Sequence, residues 1–273
     1  MRRRLVDAAP RGSPGRRLPP FWTLHPPGAS KVNARGQTDR VPDAEDHPSY
    51  ATERIQYLTP DLRESDLAPQ PLAQFERWYT DAHSGGVVEP NAMVLATVDA
   101  DGAPSARTVL LKQADARGFA FYTNYGSRKG SEIGAGGPVA LCFTWIPQHR
   151  QVTVRGHAER VGRAETEEYF RVRPWDSRIG AWASRQSQPL EHRAELDARW
   201  AELAARWPDH GRPDDVPLPE HWGGFVVRPV EIEFWQGRPS RLHDRLVYTP
   251  RTTAPATPAL DDPDGWRVLR RQP

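Results

Sequence analysis

The segment Arg241-Leu-His-Asp-Arg245 concentrates residues that are able to bind an anion. Side chains alternate faces along an extended chain, so Arg241, His243 and Arg245 are expected to project to one side. Three nitrogen-rich groups repel one another unless a negatively charged ligand lies among them. Trp235, a few residues earlier, is predicted to supply a flat wall. The pattern indicates a site for a phosphorylated aromatic ligand, and the alternative is a solvated basic strand edge.

Two further cationic pairs accompany predicted strands. Arg107 and Lys112 bracket an apolar strand, and their odd spacing puts them on opposite faces if the alternation is regular. Ser127 is predicted to cap a short helix that begins with Arg128 and Lys129. A helix start with a hydroxyl and two cations is suited to a phosphate. An exposed basic helix start is the alternative.

A predicted helical region supplies more polar groups. Tyr169 and Arg173 are four residues apart, which places them on one helical face, and Ser177 is expected to begin the next helix. The alternative is a surface contact between tyrosine and arginine beside an ordinary helix cap. Gln151 and the pair Gln186-Ser187 are able to hydrogen-bond to the edge of a heterocycle.

Several common catalytic patterns are missing from the sequence. It contains no Gly-x4-Gly-Lys loop, no Gly-x-Gly-x-x-Gly motif and no Gly-x-Ser-x-Gly elbow. The nine histidines and the single cysteine show no His-x3-His or Cys-x-x-Cys spacing, so we expect no metal site. Anion sites and aromatic walls without a nucleophile favour chemistry carried out by an organic cofactor.

The composition separates a basic leader from a mildly acidic body. Residues 1–40 carry nine basic residues against Asp7 and Asp39, whereas the other 233 residues carry 28 basic and 33 acidic ones. We predict a disordered leader over 1–45 and a single domain over 46–273, with transit peptide and nucleic-acid tether as alternatives for the leader. The lone Cys142 and the lack of a long apolar run favour a cytoplasmic protein.

Short apolar runs separated by turn signals predict an α+β fold. Tight turns imply antiparallel pairing, so we expect a closed or split β-barrel with flanking helices. The predicted strands are 92–98, 107–112, 118–123, 139–146, 151–161, 224–227, 230–235, 245–248 and 266–269. The predicted helices are 71–83, 165–172, 177–184 and 190–207. Residues 249–264 are predicted to form a mobile insert.

Nine motifs, in their order and spacing, resemble the pyridoxamine 5′-phosphate oxidase family from about Arg54 to the C-terminus. They are Arg107-Thr-Val-Leu-Leu-Lys112, Phe121-Tyr-Thr-Asn124, Ser127-Arg-Lys129, Arg150-Gln-Val152, Arg173-Pro-Trp-Asp-Ser177, Gly180-Ala-Trp182, Gln186-Ser187, Trp222-Gly-Gly-Phe225 and the segment 233–245. The resemblance implies an FMN-binding split barrel that dimerises, with FMN at the subunit interface. It also implies oxidation of pyridoxamine 5′-phosphate or pyridoxine 5′-phosphate to pyridoxal 5′-phosphate, with O2 reduced to H2O2.

The resemblance assigns roles residue by residue. FMN contacts fall on Arg107, Thr108, Val109, Leu110, Leu111, Lys112, Tyr122, Thr123, Arg128, Lys129, Gln151, Gln186, Ser187, Trp235 and Arg245. Substrate phosphate contacts fall on Lys112, Tyr169, Arg173 and Ser177, while Arg241 and His243 are implied to be catalytic residues beside the pyridine ring. A family lid matches Arg54 and Tyr57, although Ile55-Gln56 departs from its usual Arg-Glu.

Three rival functions are compatible with parts of this pattern. One is another split-barrel flavin or deazaflavin reductase, which would not be expected to keep Arg241 and His243 together with Arg173. A second is a non-catalytic carrier of flavin or pyridoxal phosphate. The third is nucleic-acid binding through the leader, against which the acidic body argues.

Overall fold

The computed structural model describes residues 55–134, 136–252 and 257–273. The predicted leader over 1–45 and the predicted lid residue Arg54 lie outside the described residues.

In the described part of the chain, nine antiparallel strands form one curled sheet, which confirms the predicted α+β split barrel. Their order is β2-β1-β5-β6-β7-β4-β3, and β8 pairs with both β7 and β9. The strands are β1 (Ala92–Val98), β2 (Pro104–Leu110), β3 (Gln113–Asp115), β4 (Gly118–Asn124), β5 (Pro138–Trp145), β6 (Arg150–Arg160), β7 (Trp222–Gln236), β8 (Asp244–Pro250) and β9 (Trp266–Arg271). The hairpin between β1 and β2 is closed by Asp99, whose carboxylate accepts from the backbone N–H groups of Asp101 and Ala103 at 3.1 and 2.8 Å.

The strand β7 organises the sheet. It pairs with β6 along one edge, and along the other edge its first half pairs with β4 and its second half with β8. The sequence predicted two strands interrupted near Pro229, and that interruption is wrong. The register between β6 and β7 shifts between Arg155 and Gly156, so that Val230 has no partner and a bulge absorbs the proline without ending the strand.

Within the described residues, five helices cover the sheet: α1 (Pro71–Ser84), α2 (Arg128–Ile133), α3 (Arg163–Arg171), α4 (Trp175–Ala183) and α5 (Arg193–Arg206). The predicted helices agree with α1, α3, α4 and α5 to within three residues at each end. In α1, Phe75, Trp78 and Ala82 are buried against the sheet. No helix within the described ranges combines the length and the apolar composition that crossing a bilayer demands.

Two apolar clusters form the interior of the part of the chain that the structure describes. The larger one fills the curl of the sheet beneath α1 and includes Phe119, Phe143 and Phe234. The smaller one packs Phe170 of α3 and Ile179 of α4 around Trp222, the first residue of β7; its other buried member is Val216, and Trp200 and Trp207 of the α5 region pack against it.

The predicted insert over 249–264 begins inside β8, which continues to Pro250. Within it, Leu260 is fully buried and its backbone N–H donates to the carbonyl of Ala116 at 2.9 Å. Leu260 also accepts from the N–H of Leu72 at 3.1 Å, so this part of the segment ties α1 to the sheet.

Candidate active site

A cavity of about 650 Å³ lies where β2, β4 and α2 face α3 and α4. It brings together twelve of the residues singled out from the sequence: Arg107, Thr108, Val109, Leu110, Lys112, Tyr122, Thr123, Lys129, Tyr169, Arg173, Ser177 and Gln186. The rest of the lining was not predicted: Asn124, Val172, Pro174, Gly180, Ala181, Ser184 and Trp222. The cavity therefore joins the two predicted phosphate-binding groups into one site.

Arg107 and Lys112 line the same cavity, which overturns the expectation that they occupy opposite faces. The reason is that β2 ends at Leu110, so the alternation does not extend to Lys112. Leu111, predicted to contact the cofactor, is buried in the core instead of lining the cavity.

Lys129 lies at one end of the cavity and is 9% exposed. Its Nζ donates to Gln186 Oε1 at 2.7 Å, to Thr123 Oγ1 at 3.2 Å and to Ser127 Oγ at 3.4 Å. Ser127 caps α2 as predicted, because its hydroxyl accepts from the Gly130 N–H at 3.3 Å. Burial, and then the positive charge of Arg107, lower the pKa of Lys129.

Glu132, which the sequence analysis missed, organises the neighbouring cations. Its carboxylate accepts hydrogen bonds from Thr97, Ser105, Arg107 and Arg128 at 2.5 to 3.0 Å. Burial alone would raise its pKa, but these hydrogen bonds outweigh burial and hold the pKa at about 2. Arg128 is exposed and does not line the cavity, since its Nε is turned to Glu132. The spacing of four residues between Arg128 and Glu132 could have predicted their ion pair from the sequence, because side chains at i and i+4 are neighbours on a helix.

Three aromatic rings form one wall of the cavity. Tyr122 stacks on Tyr169 at 4.1 Å between ring centroids and on Trp222 at 5.5 Å, with interplanar angles of 24° and 14°. Burial raises the pKa of Tyr122 to about 12, so its phenol stays neutral near pH 7. Trp222 was quoted from the sequence only as part of a motif, and its place in the wall follows from packing between α3 and β7.

Arg173 supplies an unsatisfied donor to this site. Its guanidinium lies 4.4 Å from the ring centroid of Trp222. Its Nη1 is buried and has no hydrogen-bond partner among the described residues. Burial lowers the pKa of Arg173, although Tyr169 and Asp176 act in the opposite direction. A buried guanidinium nitrogen without an acceptor is costly unless a ligand provides one.

Ser177 lines the cavity from the first turn of α4. It is the third residue of that helix and does not begin it as predicted, because α4 starts at Trp175 after Pro174.

The remaining predicted residues gather at the far end of β7. Trp235 and His243 lie 4.6 Å apart between ring centroids, and Tyr57 lies 6.2 Å from Trp235 and 5.8 Å from His243. We call Tyr57, Trp235 and His243 the tryptophan cluster. Gln151 on β6 and Arg245 on β8 are the register partners of Trp235. His149, which the sequence analysis did not single out as a site residue, lies 4.3 Å from Tyr57 between ring centroids.

The segment from Arg241 to His243 is not extended, and that prediction is wrong. Pro239–Arg241 forms a 3-10 turn in which Ser240 and Arg241 have φ values of 58° and 62°, and β8 begins only at Asp244. His243 Nδ1 accepts from the Arg238 N–H at 3.0 Å, so the neutral ring carries its proton on Nε2. Burial and then Arg241 lower the pKa of His243, with Asp244 opposing them.

Arg245 is paired with the buried carboxylate of Glu233, at 2.8 and 3.1 Å. Arg271 shares that carboxylate at 3.4 Å and binds Glu231 at 2.6 Å. Ser187, with φ of 71°, lines an adjacent cavity of about 530 Å³ with Arg185 and Arg199.

The cavity and the tryptophan cluster take opposite ends of one strand. Trp222 and Trp235 are thirteen residues apart on β7, which corresponds to roughly 40 Å if the strand were straight. The cavity supplies cations, an orphaned donor and a stacked aromatic wall, and the tryptophan cluster supplies a neutral imidazole and an indole.

Comparison with known proteins gives concordant matches. The family model described as pyridoxamine 5′-phosphate oxidase matches residues 79–206, and the model of the pyridoxine 5′-phosphate oxidase C-terminal dimerisation region matches residues 222–273. A pyridoxine/pyridoxamine 5′-phosphate oxidase of Kineococcus radiotolerans is 59% identical over 223 residues, covering 82% of this chain and 98% of the relative. One of Burkholderia multivorans is 50% identical over 220 residues, covering 81% and 97%.

Solved structures give the same fold. PhzG from Burkholderia lata 383, in complex with tetrahydrophenazine-1-carboxylic acid, is 29% identical with a TM-score of 0.68, covering 79% of this chain and 99% of PhzG. A pyridoxamine 5′-phosphate oxidase-related, FMN-binding protein from Nostoc punctiforme PCC 73102 is 14% identical with a TM-score of 0.53, covering 74% and 96%. The second likeness concerns the fold alone.

Proposed function

Because the chain belongs to the pyridoxamine 5′-phosphate oxidase family, we propose that this oxidoreductase binds FMN and oxidises pyridoxamine 5′-phosphate and pyridoxine 5′-phosphate to pyridoxal 5′-phosphate. The observation that carries this proposal is the orphaned Nη1 of Arg173 in a cavity that also holds Lys112, Lys129 and Arg107. A buried donor without an acceptor indicates that an anionic ligand completes the site.

The residues present fit two phosphate groups. Arg107 and Lys129 come from β2 and α2, and Lys112 and Arg173 come from the segments after β2 and α3, so the cations reach the cavity in two sets. FMN and the vitamer each carry one phosphate. We assign the FMN phosphate to the first set, and the substrate phosphate to Lys112, Tyr169, Arg173 and Ser177.

Bound FMN would supply the two-electron redox chemistry of the reaction, with O2 as the final electron acceptor and H2O2 as its product. The protein's own residues bind and orient the reactants. Arg173 and Lys112 hold the substrate by its phosphate, and the wall of Tyr122, Tyr169 and Trp222 excludes water from one side of the cavity. Such positioning is a large part of the catalysis expected where a cofactor supplies the redox chemistry.

We assign Arg241 and His243 to the pyridine ring of the substrate, and Gln151, Trp235 and Arg245 to FMN. Because these residues lie at the far end of β7 from the cavity, we propose that they complete the cavity of the partner in a homodimer. The C-terminal dimerisation region spans residues 222–273 and contains the two ends of β7, Arg241, His243 and Arg245. Tyr57 is assigned to a lid over the substrate, since its ring lies against Trp235 and His243.

The test is to purify the protein, record its visible spectrum, and add pyridoxine 5′-phosphate in air. We expect a yellow protein that consumes O2 and forms an aldehyde, and we expect unphosphorylated pyridoxine to react far more slowly. A colourless protein that does not bind added FMN contradicts the proposal. A protein that holds FMN but oxidises neither vitamer is a flavin carrier or acts on another substrate.

A further inference from the structure

One buried carboxylate ties α2 to β1 and β2, and two of these elements, α2 and β2, line the cavity. Glu132, on α2, has a side chain that is 4% exposed. It accepts from Thr97 on β1 at 2.5 Å, from Ser105 on β2 at 2.6 Å and from Arg107 on β2 at 3.0 Å.

Both terminal nitrogens of the Arg107 guanidinium are hydrogen-bonded within the protein. Nη2 donates to Ser105 at 2.5 Å as well as to Glu132, and Nη1 donates to Leu95 O at 3.3 Å and to Thr97. Arg107 nevertheless lines the cavity, as does Lys129 from α2. The two cations assigned to the FMN phosphate are thus connected through Glu132.

We propose that Glu132 is a positioning residue of the flavin phosphate site, holding Arg107 against the cavity wall and joining that wall to the helix that carries Lys129. This inference rests on the proposed function, because it takes the phosphate to be that of FMN. Glu132 also opposes the loss of the Lys129 proton, which burial and Arg107 favour.

Removing the charge of Glu132 changes phosphate affinity in opposite directions, depending on whether Glu132 positions Arg107 or only neutralises nearby positive charge. If Glu132 only offsets nearby positive charge, Glu132→Gln strengthens the attraction for a phosphate dianion. If Glu132 positions Arg107, the same substitution weakens phosphate binding because one charge-assisted acceptor is lost.

The experiment titrates the flavin-free full chain with FMN and, separately, with riboflavin, and follows the quenching of flavin fluorescence. We expect Glu132→Gln to weaken FMN binding by about tenfold, the loss of one charged hydrogen bond. Riboflavin has no phosphate, so its affinity should change less than about twofold. The matched control is Glu167→Gln, which removes an exposed acid paired with Arg171 on α3 and should change neither affinity.

The pH dependence of FMN affinity is a second measurement, and it should not change if Glu132 has only a structural role. The charged groups acting on Lys129 are Arg107 on β2 and Glu132 on its own helix. Without the Glu132 charge, the pKa of Lys129 falls further. As the pH is raised, FMN affinity should therefore begin to decline at a lower pH value in Glu132→Gln than in the wild type. Glu132→Asp keeps the charge and should restore the wild-type pH profile.

Unchanged or tighter FMN binding in a folded Glu132→Gln variant overturns the inference. Failure of the wild type to bind FMN refutes the proposed function itself, which is a separate outcome. If Glu132→Gln does not fold, Ser105→Ala decides the question, because it removes a donor to Glu132 and an acceptor of Arg107. It should weaken FMN binding by about threefold and spare riboflavin, and equal binding of FMN by this variant and the wild type overturns the inference.

Discussion

At the scale of single residues, the surroundings of Arg173 indicate a ligand most clearly, because they leave a buried donor without an acceptor. Its guanidinium lies over the Trp222 ring, and its buried Nη1 lacks an acceptor among the described residues. Stacking of this kind pre-orients an arginine for a planar or tetrahedral oxyanion without supplying the hydrogen bonds that the nitrogen requires.

Arg173→Ala should raise the KM for pyridoxine 5′-phosphate by ten- to a hundredfold, which corresponds to roughly 1.5–3 kcal/mol for one charge-assisted contact. Steady-state O2 consumption measures this. Arg171→Ala is the matched control, since Arg171 belongs to the same segment but is exposed and paired with Glu167. An unchanged KM in Arg173→Ala would show that Arg173 does not bind the substrate phosphate.

The titration of His243 gives a second prediction. Its pKa lies below the ordinary 6.5 because of burial and the charge of Arg241, so the ring is neutral at pH 7. Removing that charge in Arg241→Ala should raise the pKa of His243 towards 6.5. Proton NMR of the imidazole resonances measures the shift, with His243→Gln identifying the signal. A fall in the pKa would contradict the described arrangement.

Residues with a local signature were predictable from the sequence, and residues defined by distant contacts were not. Ser127 and Lys129 follow from helix-start chemistry, which depends only on adjacent residues. The role of Glu132 depends on Thr97 and Ser105, more than 25 residues away along the chain, and no local pattern reports such a contact.

At the scale of elements, the close approach of β4 to β7 constrains the sheet. Gly118 begins β4 with φ of 147°, and a Cβ on it would lie 1.9 Å from the carbonyl oxygen of Val227. Two backbones that touch this closely leave space for hydrogen alone.

Gly118→Ala should therefore lower the free energy of unfolding by about 3 kcal/mol or more, from backbone strain and overpacking together. Urea unfolding followed by tryptophan fluorescence measures it. Gly162→Ala is the control, because a Cβ there meets nothing within 4 Å, and its cost should stay below about 1 kcal/mol. Equal stability of Gly118→Ala and the wild type would show that β4 and β7 are further apart than described.

The elements themselves were largely readable, because apolar alternation and turn residues are local. Two errors have physical causes. The predicted strands 224–227 and 230–235 left a break at residues 228–229, but the bulge at Val230 keeps β7 continuous. Arg241 was expected in an extended segment, but consecutive left-handed residues at Ser240 and Arg241 turn the chain, and neither residue type signals that conformation.

At the scale of the whole molecule, the separation of the cavity from the tryptophan cluster makes the proposed dimer testable without a structure of the complex. In the proposed dimer, each site takes Arg173 from one chain and Arg241 from the other. If one chain carries a substitution of Arg173 and its partner a substitution of Arg241, both changes fall in the same site and the second site stays intact.

Mixed dimers of Arg173→Glu and Arg241→Ala chains, isolated through two different affinity tags, should recover about half of the wild-type turnover although each parent is inactive. The control pairs a wild-type chain with the double variant, and it should be nearly inactive because both sites then carry a defect. The reverse pattern would show that each site is built within one chain.

The strand order has a consequence for how the protein behaves at high concentration. Within the described residues, the outermost strands are β2, β3 and β9, while β7 is paired along both edges. β3 is three residues long, β2 starts with a proline, and β9 carries Arg267, Arg270 and Arg271. Short, proline-bearing or charged edges are poor templates for the addition of foreign strands, so this sheet is protected against growth into fibrillar aggregates.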